Sequence, residues 1–145
     1  MRVMGLDVGA KRIGVALSDP GGWIAQGLVV VRRGETPDTE IDRLKEIAAS
    51  YEVERIIVGL PRNMDGSLGA QAEVIKAFAD ELVAALSLPV ELWDERLTTV
   101  AAEKLLLQAD LSRSRRRRVI DQIAAAIMLQ NYLDYKMGIG SLRKR

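Results

Sequence analysis

Residues 1–19 read MRVMGLDVGAKRIGVALSD, and this stretch decides the fold. Residues 2–8 and 13–18 are rich in Val, Leu and Ile, and a short polar turn separates them. They predict two paired strands, and residues 27–31 predict a third strand that completes an antiparallel meander. Asp7 stands near the end of the first strand in apolar company, where an ionised carboxylate must be solvated, paired or bound to a cation.

The rest of the chain alternates helical and extended patterns. Thr36 precedes a first-turn proline, and apolar residues then recur at helical spacing, which predicts a helix. Further strands are predicted at residues 55–60 and 89–93, and further helices around residues 74–86, from Thr98 or Thr99 to residue 107, and at residues 119–133. This order predicts an α/β domain whose single mixed five-stranded sheet, a three-strand antiparallel meander plus two parallel strands, is flanked by helices. With the first strand central, the crevice outside the carboxyl ends of the parallel strands is the expected ligand site.

The composition limits the domain organisation and the catalytic groups that this chain can offer. A chain of 145 residues with 48% hydrophobic content predicts one domain, over residues 1–137, followed by a basic tail at residues 138–145. Cysteine is absent, which excludes thiolate metal sites and favours a cytoplasmic location. Histidine is absent as well, so catalysis has to rely on carboxylates, lysine, hydroxyls or a hard cation such as Mg²⁺. No stretch approaches the roughly 20 apolar residues of a membrane span, and the first residues lack a signal-peptide pattern, so no membrane partner is expected.

Two further acidic residues lie in apolar company far from Asp7 along the chain. Glu95 follows the fifth predicted strand, and Asp121 lies in the last predicted helix. Three such carboxylates meeting at one end of the sheet indicate a catalytic divalent-metal site. Each has a structural alternative: Asp7 could turn the chain, Glu95 could pair with Arg96 or cap a helix, and Asp121 could pair with Arg117 one turn earlier.

Basic and polar residues near the same end of the sheet are candidates for binding nucleic acid. Five arginines between Arg113 and Arg118 have no interleaved acids and directly precede Asp121, which favours contact with backbone phosphates over a merely solvated face. The nucleic-acid-binding candidates are Lys11, Arg12, Arg62, Asn63, Arg96, Thr98, Arg115, Arg116, Arg117 and Arg118. The turn and loop residues among them could instead face solvent, and Thr98 could cap a helix. Packing, rather than stacking on a base, is expected of Trp93.

The motifs resemble the YqgF family, also called RuvX, within the RNase H-like nuclease fold. The resemblance covers nearly the whole chain and rests on four strings, at residues 5–16, 58–66, 94–99 and 121–125. It implies that Asp7, Glu95 and Asp121 bind Mg²⁺ or Mn²⁺ and serve as the catalytic residues. It also implies a hydrolase that processes precursor 16S rRNA during ribosome biogenesis, or one that resolves Holliday junctions. The wider fold often has a fourth acid beside the last one, where this chain has Gln122.

The leading hypothesis is therefore a two-metal nuclease acting on structured RNA, with resolution of branched DNA as the alternative. A catalytically inert nucleic-acid- or ribosome-binding module is a further alternative, and the three carboxylates argue against it. Actin-like and sugar-kinase ATPases share this sheet, but they close a cleft between two domains and this chain supplies one. The sequence leaves the oligomeric state open between a monomer and a weak homodimer. One metal site per chain favours single incisions over the paired cuts of a symmetric dimer.

Overall fold

The computed structural model describes residues 1–34, 37–60, 69–94 and 113–136, with the backbone alone at residues 37, 38, 70 and 113–119. The strands are β1 (Val3–Val8), β2 (Arg12–Ser18), β3 (Ala25–Arg32), β4 (Arg55–Leu60) and β5 (Val90–Asp94). The helices are α1 (Pro37–Ser50), α2 (Ala70–Leu86) and α3 (Arg113–Lys136). The helix predicted to end at residue 107 and the basic tail predicted at residues 138–145 lie outside the described residues.

The five strands form one sheet in the order β3-β2-β1-β4-β5. The β1–β2 and β2–β3 pairs are antiparallel, whereas the β1–β4 and β4–β5 pairs are parallel. The predicted meander with two added parallel strands is confirmed, and β1 is the central strand. We call the end of the sheet where β1, β4 and β5 terminate the carboxyl end, and the opposite end the amino end.

Helices cover both faces of this sheet. α1 and α2 pack on one face, around a core that includes Leu6, Ile13, Leu44, Val58 and Leu82. α3 packs on the other face, around a second core that includes Ala16, Ile57, Ala125, Met128 and Leu129. Because side chains alternate along a strand, the burial of Leu6 in the first core directs Asp7 to the α3 face.

Glycines on that face let α3 approach the strands closely. A Cβ atom at Gly14 of β2 would lie 2.2 Å from the backbone oxygen of Asp121, and one at Gly27 of β3 would lie 3.0 Å from the Cβ of Gln122. Backbone and Cβ atoms move only with the whole helix, so a larger residue at Gly14 would push α3 off the sheet. Gly14 therefore sets the height of Asp121 above the strands.

The last helix begins earlier than its apolar pattern predicts. The prediction places its start at residue 119, whereas α3 begins at Arg113. Arginine favours helical backbone without supplying an apolar repeat, so a search for apolar spacing misses these first turns. Over the predicted range, α3 buries one face against the sheet, with Ala125 and Leu129 fully buried, whereas Tyr135 beyond that range is exposed. Among the described residues, no helix has the length and hydropathy needed to cross a bilayer.

Candidate active site at the carboxyl end of the sheet

Asp7 is the next-to-last residue of β1, at the carboxyl end of the sheet. It is half-buried, and its cross-strand partner on β2 is Gly14. Gly14 has no side chain to cover the neighbouring carboxylate. Asp7 therefore lies on the α3 face beside a patch of strand backbone that carries no side chain.

Asp121 reaches the same patch from the helix. Its backbone oxygen lies against Gly14, so Asp7 and Asp121 both adjoin one residue of β2. The two residues are far apart in the chain, and α3 brings them to one face of the sheet. The structure thus brings together two of the three predicted metal ligands, while Glu95 follows the end of β5 in sequence and lies outside the described residues.

Arg12 pairs with Asp121 directly. Its Nε donates a hydrogen bond to Oδ2 of Asp121 at 2.9 Å, and the two side chains are 31% and 23% exposed. The sequence offers Arg117 as a structural partner of Asp121 and predicts that Arg12 binds nucleic acid. The described partner is Arg12, which comes from the first position of β2 rather than from the same helix.

A network around Arg33 holds the turn between β1 and β2. The Gly9 amide donates to the Arg12 carbonyl at 2.8 Å, and Nη1 of Arg33 donates to the Gly9 carbonyl at 2.9 Å. The Arg33 guanidinium also donates to both carboxylate oxygens of Glu40, at 2.9 and 3.2 Å. Glu40 is only 2% exposed, so this pair fixes the turn to α1 from inside the protein.

Neither Arg33 nor Glu40 is predicted from the sequence. A signal for Glu40 is present, because it precedes Leu44 by four residues and so lies on the buried face of α1. The partner, Arg33, carries no such pattern, since a basic residue after an edge strand is ordinary.

The remaining candidates divide between described and undescribed residues. Lys11 is exposed in the turn between β1 and β2. The segments holding Arg62, Asn63, Arg96 and Thr98 lie outside the described residues, and the four arginines at 115–118 are described as helical backbone alone. Within residues 1–34, 37–60, 69–94 and 113–136, no group of three acidic side chains is close enough to hold a metal ion.

A second charged cluster lies at the amino end of the sheet, and sequence analysis does not anticipate it. Glu91 of β5 lies 3.7 Å from Nη1 of Arg55 and 3.5 Å from Nζ of Lys136. Arg55 also donates to the Tyr132 hydroxyl at 3.2 Å. Burial raises the pKa of Tyr132, the hydrogen bond to Glu91 raises it further, and Arg55 opposes the change. Trp93 packs edge-on against Tyr132 with ring centroids 5.5 Å apart, as expected for a packing role.

Comparison with known proteins identifies the family. Residues 1–135 match the RuvX family, described as Holliday junction resolvase. A protein of Moorella thermoacetica is 62% identical over 134 residues, which cover 92% of this chain and 95% of that protein. One of Pelotomaculum thermopropionicum is 60% identical over 134 residues, covering 92% and 87%. Both carry the name "Putative pre-16S rRNA nuclease".

A solved structure shows a similar fold. It is RuvC of Thermus thermophilus in complex with a Holliday junction substrate, with a TM-score of 0.56 and 18% identity over 95% of this chain and 96% of that one. At this identity the likeness speaks for the fold alone, which is RNase H-like. The family match and the high identity of the relatives together show that this chain belongs to the RuvX family.

Proposed function

We propose that this protein is a divalent-metal-dependent nuclease that hydrolyses phosphodiester bonds in precursor 16S rRNA. The observation that supports it is the convergence of Asp7 and Asp121 on Gly14 at the carboxyl end of the sheet. Ligands in sheets of this kind bind outside the carboxyl ends of the parallel strands. The names of the relatives supply the substrate, and the family description supplies the alternative of a Holliday junction.

The donor set fits a hard cation. Carboxylate oxygens are the protein ligands that Mg²⁺ and Mn²⁺ prefer, and the chain has neither histidine nor cysteine to favour a softer metal. Asp7 and Asp121, with Glu95 as the third member, would hold the metal. Two such cations would stabilise charge on the attacking and leaving oxygens of a phosphodiester. Asp7 and Asp121 would place the cation, and with it the scissile phosphate, at the carboxyl end of the sheet.

Positive charge around this site would bind the nucleic-acid backbone. Lys11 is exposed in the β1–β2 turn, and the arginines at 115–118 occupy helical backbone within two turns of Asp121. Such residues supply affinity and position without reading sequence. The single site of one chain suits the trimming or single incision of a flexible RNA strand, whereas junction resolution needs two coordinated cuts.

Side-by-side cleavage assays test this function. A precursor 16S rRNA fragment with single-stranded flanks and a four-way DNA junction are incubated with chelator-treated protein, before and after addition of Mg²⁺ or Mn²⁺. We expect cleavage of the RNA only with metal, and little turnover with Ca²⁺, which is larger and less strict in geometry. The Asp7→Asn variant controls for contaminating nucleases. Full activity in EDTA would refute the metal-dependent mechanism, and paired symmetric nicks in the junction with intact RNA would make the DNA substrate the correct one.

The arginine cluster is tested by salt dependence. Changing Arg115, Arg116, Arg117 and Arg118 together to Ser should weaken binding of every nucleic acid and reduce the log–log salt slope by up to about 0.7 to 0.9 per lost phosphate contact. The control is Arg43→Gln on α1, an exposed arginine paired with Glu46. An unchanged salt slope would show that these arginines do not contact phosphate. A large fall in the melting temperature of the variant would show that they stabilise the fold.

A further inference from the structure

Arg12 lies directly against Asp121, one of the proposed metal ligands. Its guanidinium touches the Asp121 carboxylate at 2.9 Å, and both side chains remain open to solvent. A divalent cation bound by Asp121 and a positively charged guanidinium compete for the same oxygen. The pair therefore weakens Asp121 as a metal ligand, because the guanidinium occupies Oδ2 and its positive charge repels the cation.

The two arginines of this region differ in how firmly they are held. Arg33 makes two hydrogen bonds to Glu40 and a third to the Gly9 carbonyl, and the Glu40 side chain is 3% exposed. Arg12 makes one described hydrogen bond, through Nε, to a side chain that is 23% exposed. Partly exposed pairs with one contact are weak, since water and salt compete with them. Arg33 is therefore fixed in place, whereas Arg12 can change its partner.

The backbone beneath Arg12 does not have to move in such an exchange. The Gly9 amide holds the Arg12 carbonyl, and Arg33 holds the Gly9 carbonyl in turn. Only the side chain would rotate, from the carboxylate toward a bound phosphate. A guanidinium binds carboxylate and phosphate with the same planar geometry, so both partners suit it.

We propose that Arg12 is an exchangeable counter-ion: it pairs with Asp121 in the metal-free protein and transfers to a backbone phosphate of the nucleic acid when Asp121 takes up the divalent cation. This inference rests on the proposed function and assigns Arg12 a positioning role within it. Its consequence is coupling, because metal binding releases a phosphate-binding group. Metal and nucleic acid then strengthen each other's binding by the same factor.

Metal affinity gives the first test. Isothermal titration with Mn²⁺ in the absence of nucleic acid compares the wild type with Arg12→Gln, Arg12→Lys and the distant charge control Arg43→Gln. Removing a competing charge a few ångströms from the ligand oxygen should tighten Mn²⁺ binding of Arg12→Gln by about three- to tenfold. Arg12→Lys, which keeps the charge, should stay near the wild type, and Arg43→Gln should not change. Equal affinities for Arg12→Gln and Arg43→Gln would overturn the exchange.

Nucleic-acid binding without metal gives the second test, by a double-mutant cycle in EDTA. Asp121→Asn should free Arg12 and tighten binding of a single-stranded RNA, even though it destroys the proposed metal site. In the Arg12→Gln background the same substitution removes the same negative charge but has no arginine to release, so the gain should shrink. Equal gains in both backgrounds would show general electrostatics alone and overturn the inference.

These experiments distinguish the exchange of Arg12 from the nuclease function on which it rests. A wild-type protein that binds no divalent cation and no RNA would refute the proposed function itself. Metal and RNA binding that are normal in the wild type but insensitive to Arg12 would refute the exchange alone. Melting temperatures in EDTA confirm that each variant is folded before its affinities are compared.

Discussion

The two ends of the sheet both carry charged residues beside α3, but in opposite balance. At the carboxyl end, two carboxylates, Asp7 and Asp121, share a face with Arg12. In the charged cluster at the amino end, the Glu91 carboxylate lies between the cations of Arg55 and Lys136. A site with an excess of carboxylates attracts a metal ion, whereas a carboxylate with two cations is already neutralised. The same helix and sheet thus produce a candidate active site at one end and a structural cluster at the other.

The largest expected difference between the two ends is in turnover. Asp7→Asn keeps the shape of the side chain and removes its charge, so we expect cleavage to fall by about two to three orders of magnitude, as for other electrostatic catalytic groups. Asp121→Asn should behave alike. The matched change at the amino end, Glu91→Gln, should leave turnover within about twofold of the wild type, because the ion pairs and the Tyr132 hydrogen bond that it disturbs lie at the opposite end of the sheet from Asp7 and Asp121. Initial rates on the RNA substrate, with melting temperatures as the control for folding, decide between them.

That comparison has a clear contradicting result. If Glu91→Gln lost as much activity as Asp7→Asn, the amino end would belong to the site. Near-normal turnover of Asp7→Asn would instead show that the active site does not lie at the carboxyl end of the sheet.

A smaller but still large effect is expected at Gly14, which joins Asp7 to Asp121. A Cβ there would lie 2.2 Å from the Asp121 backbone oxygen, so Gly14→Ala has to displace α3. Overpacking of this kind costs about 1 to 3 kcal/mol, and we expect that loss of unfolding free energy in urea denaturation together with reduced turnover. Gly21→Ala is the control, because its closest neighbour is the side chain of Trp23, which is exposed. A Gly14→Ala variant as stable as Gly21→Ala would mean that α3 does not rest on β2 as described.

Local patterns predict the framework of this protein well. The alternation and turns of the first 31 residues predict the meander, and the order of strands and helices predicts which strands are parallel. The same logic places Asp7 at the end of a central strand. Those features depend on neighbours in sequence and on general rules of connection, and the amino-acid sequence carries both.

The contacts that complete the site could not be predicted in this way. Arg12 and Asp121 are 109 residues apart in the sequence. Their pairing depends on the close approach of α3 to the sheet at Gly14. In sequence, Gly14 looks like an ordinary strand residue, and its function is visible only once a helix lies over it. The metal-binding roles of Asp7, Glu95 and Asp121, and the nucleic-acid-binding roles of all the basic and polar candidates, stay predictions.

The smallest expected effect is a loss of stability in alkali that comes from the amino end alone. Burial raises the pKa of Tyr132 above its ordinary value, with Glu91 adding to the effect, so the folded protein holds this proton more tightly than the unfolded chain. The stabilisation is therefore complete below the ordinary tyrosine pKa of about 10 and is lost as the pH rises through the higher pKa of the folded state. In urea denaturation at several alkaline pH values, the wild type should lose stability with a contribution from Tyr132 of at most about 1.4 kcal/mol per pH unit. Tyr132→Phe should remove that contribution, whereas Tyr135→Phe, at an exposed position one turn further along α3, should keep it. Identical pH dependence in Tyr132→Phe and the wild type would show that folding does not raise the pKa of Tyr132, and the contribution of Tyr132 to stability would then come from its packing against Trp93.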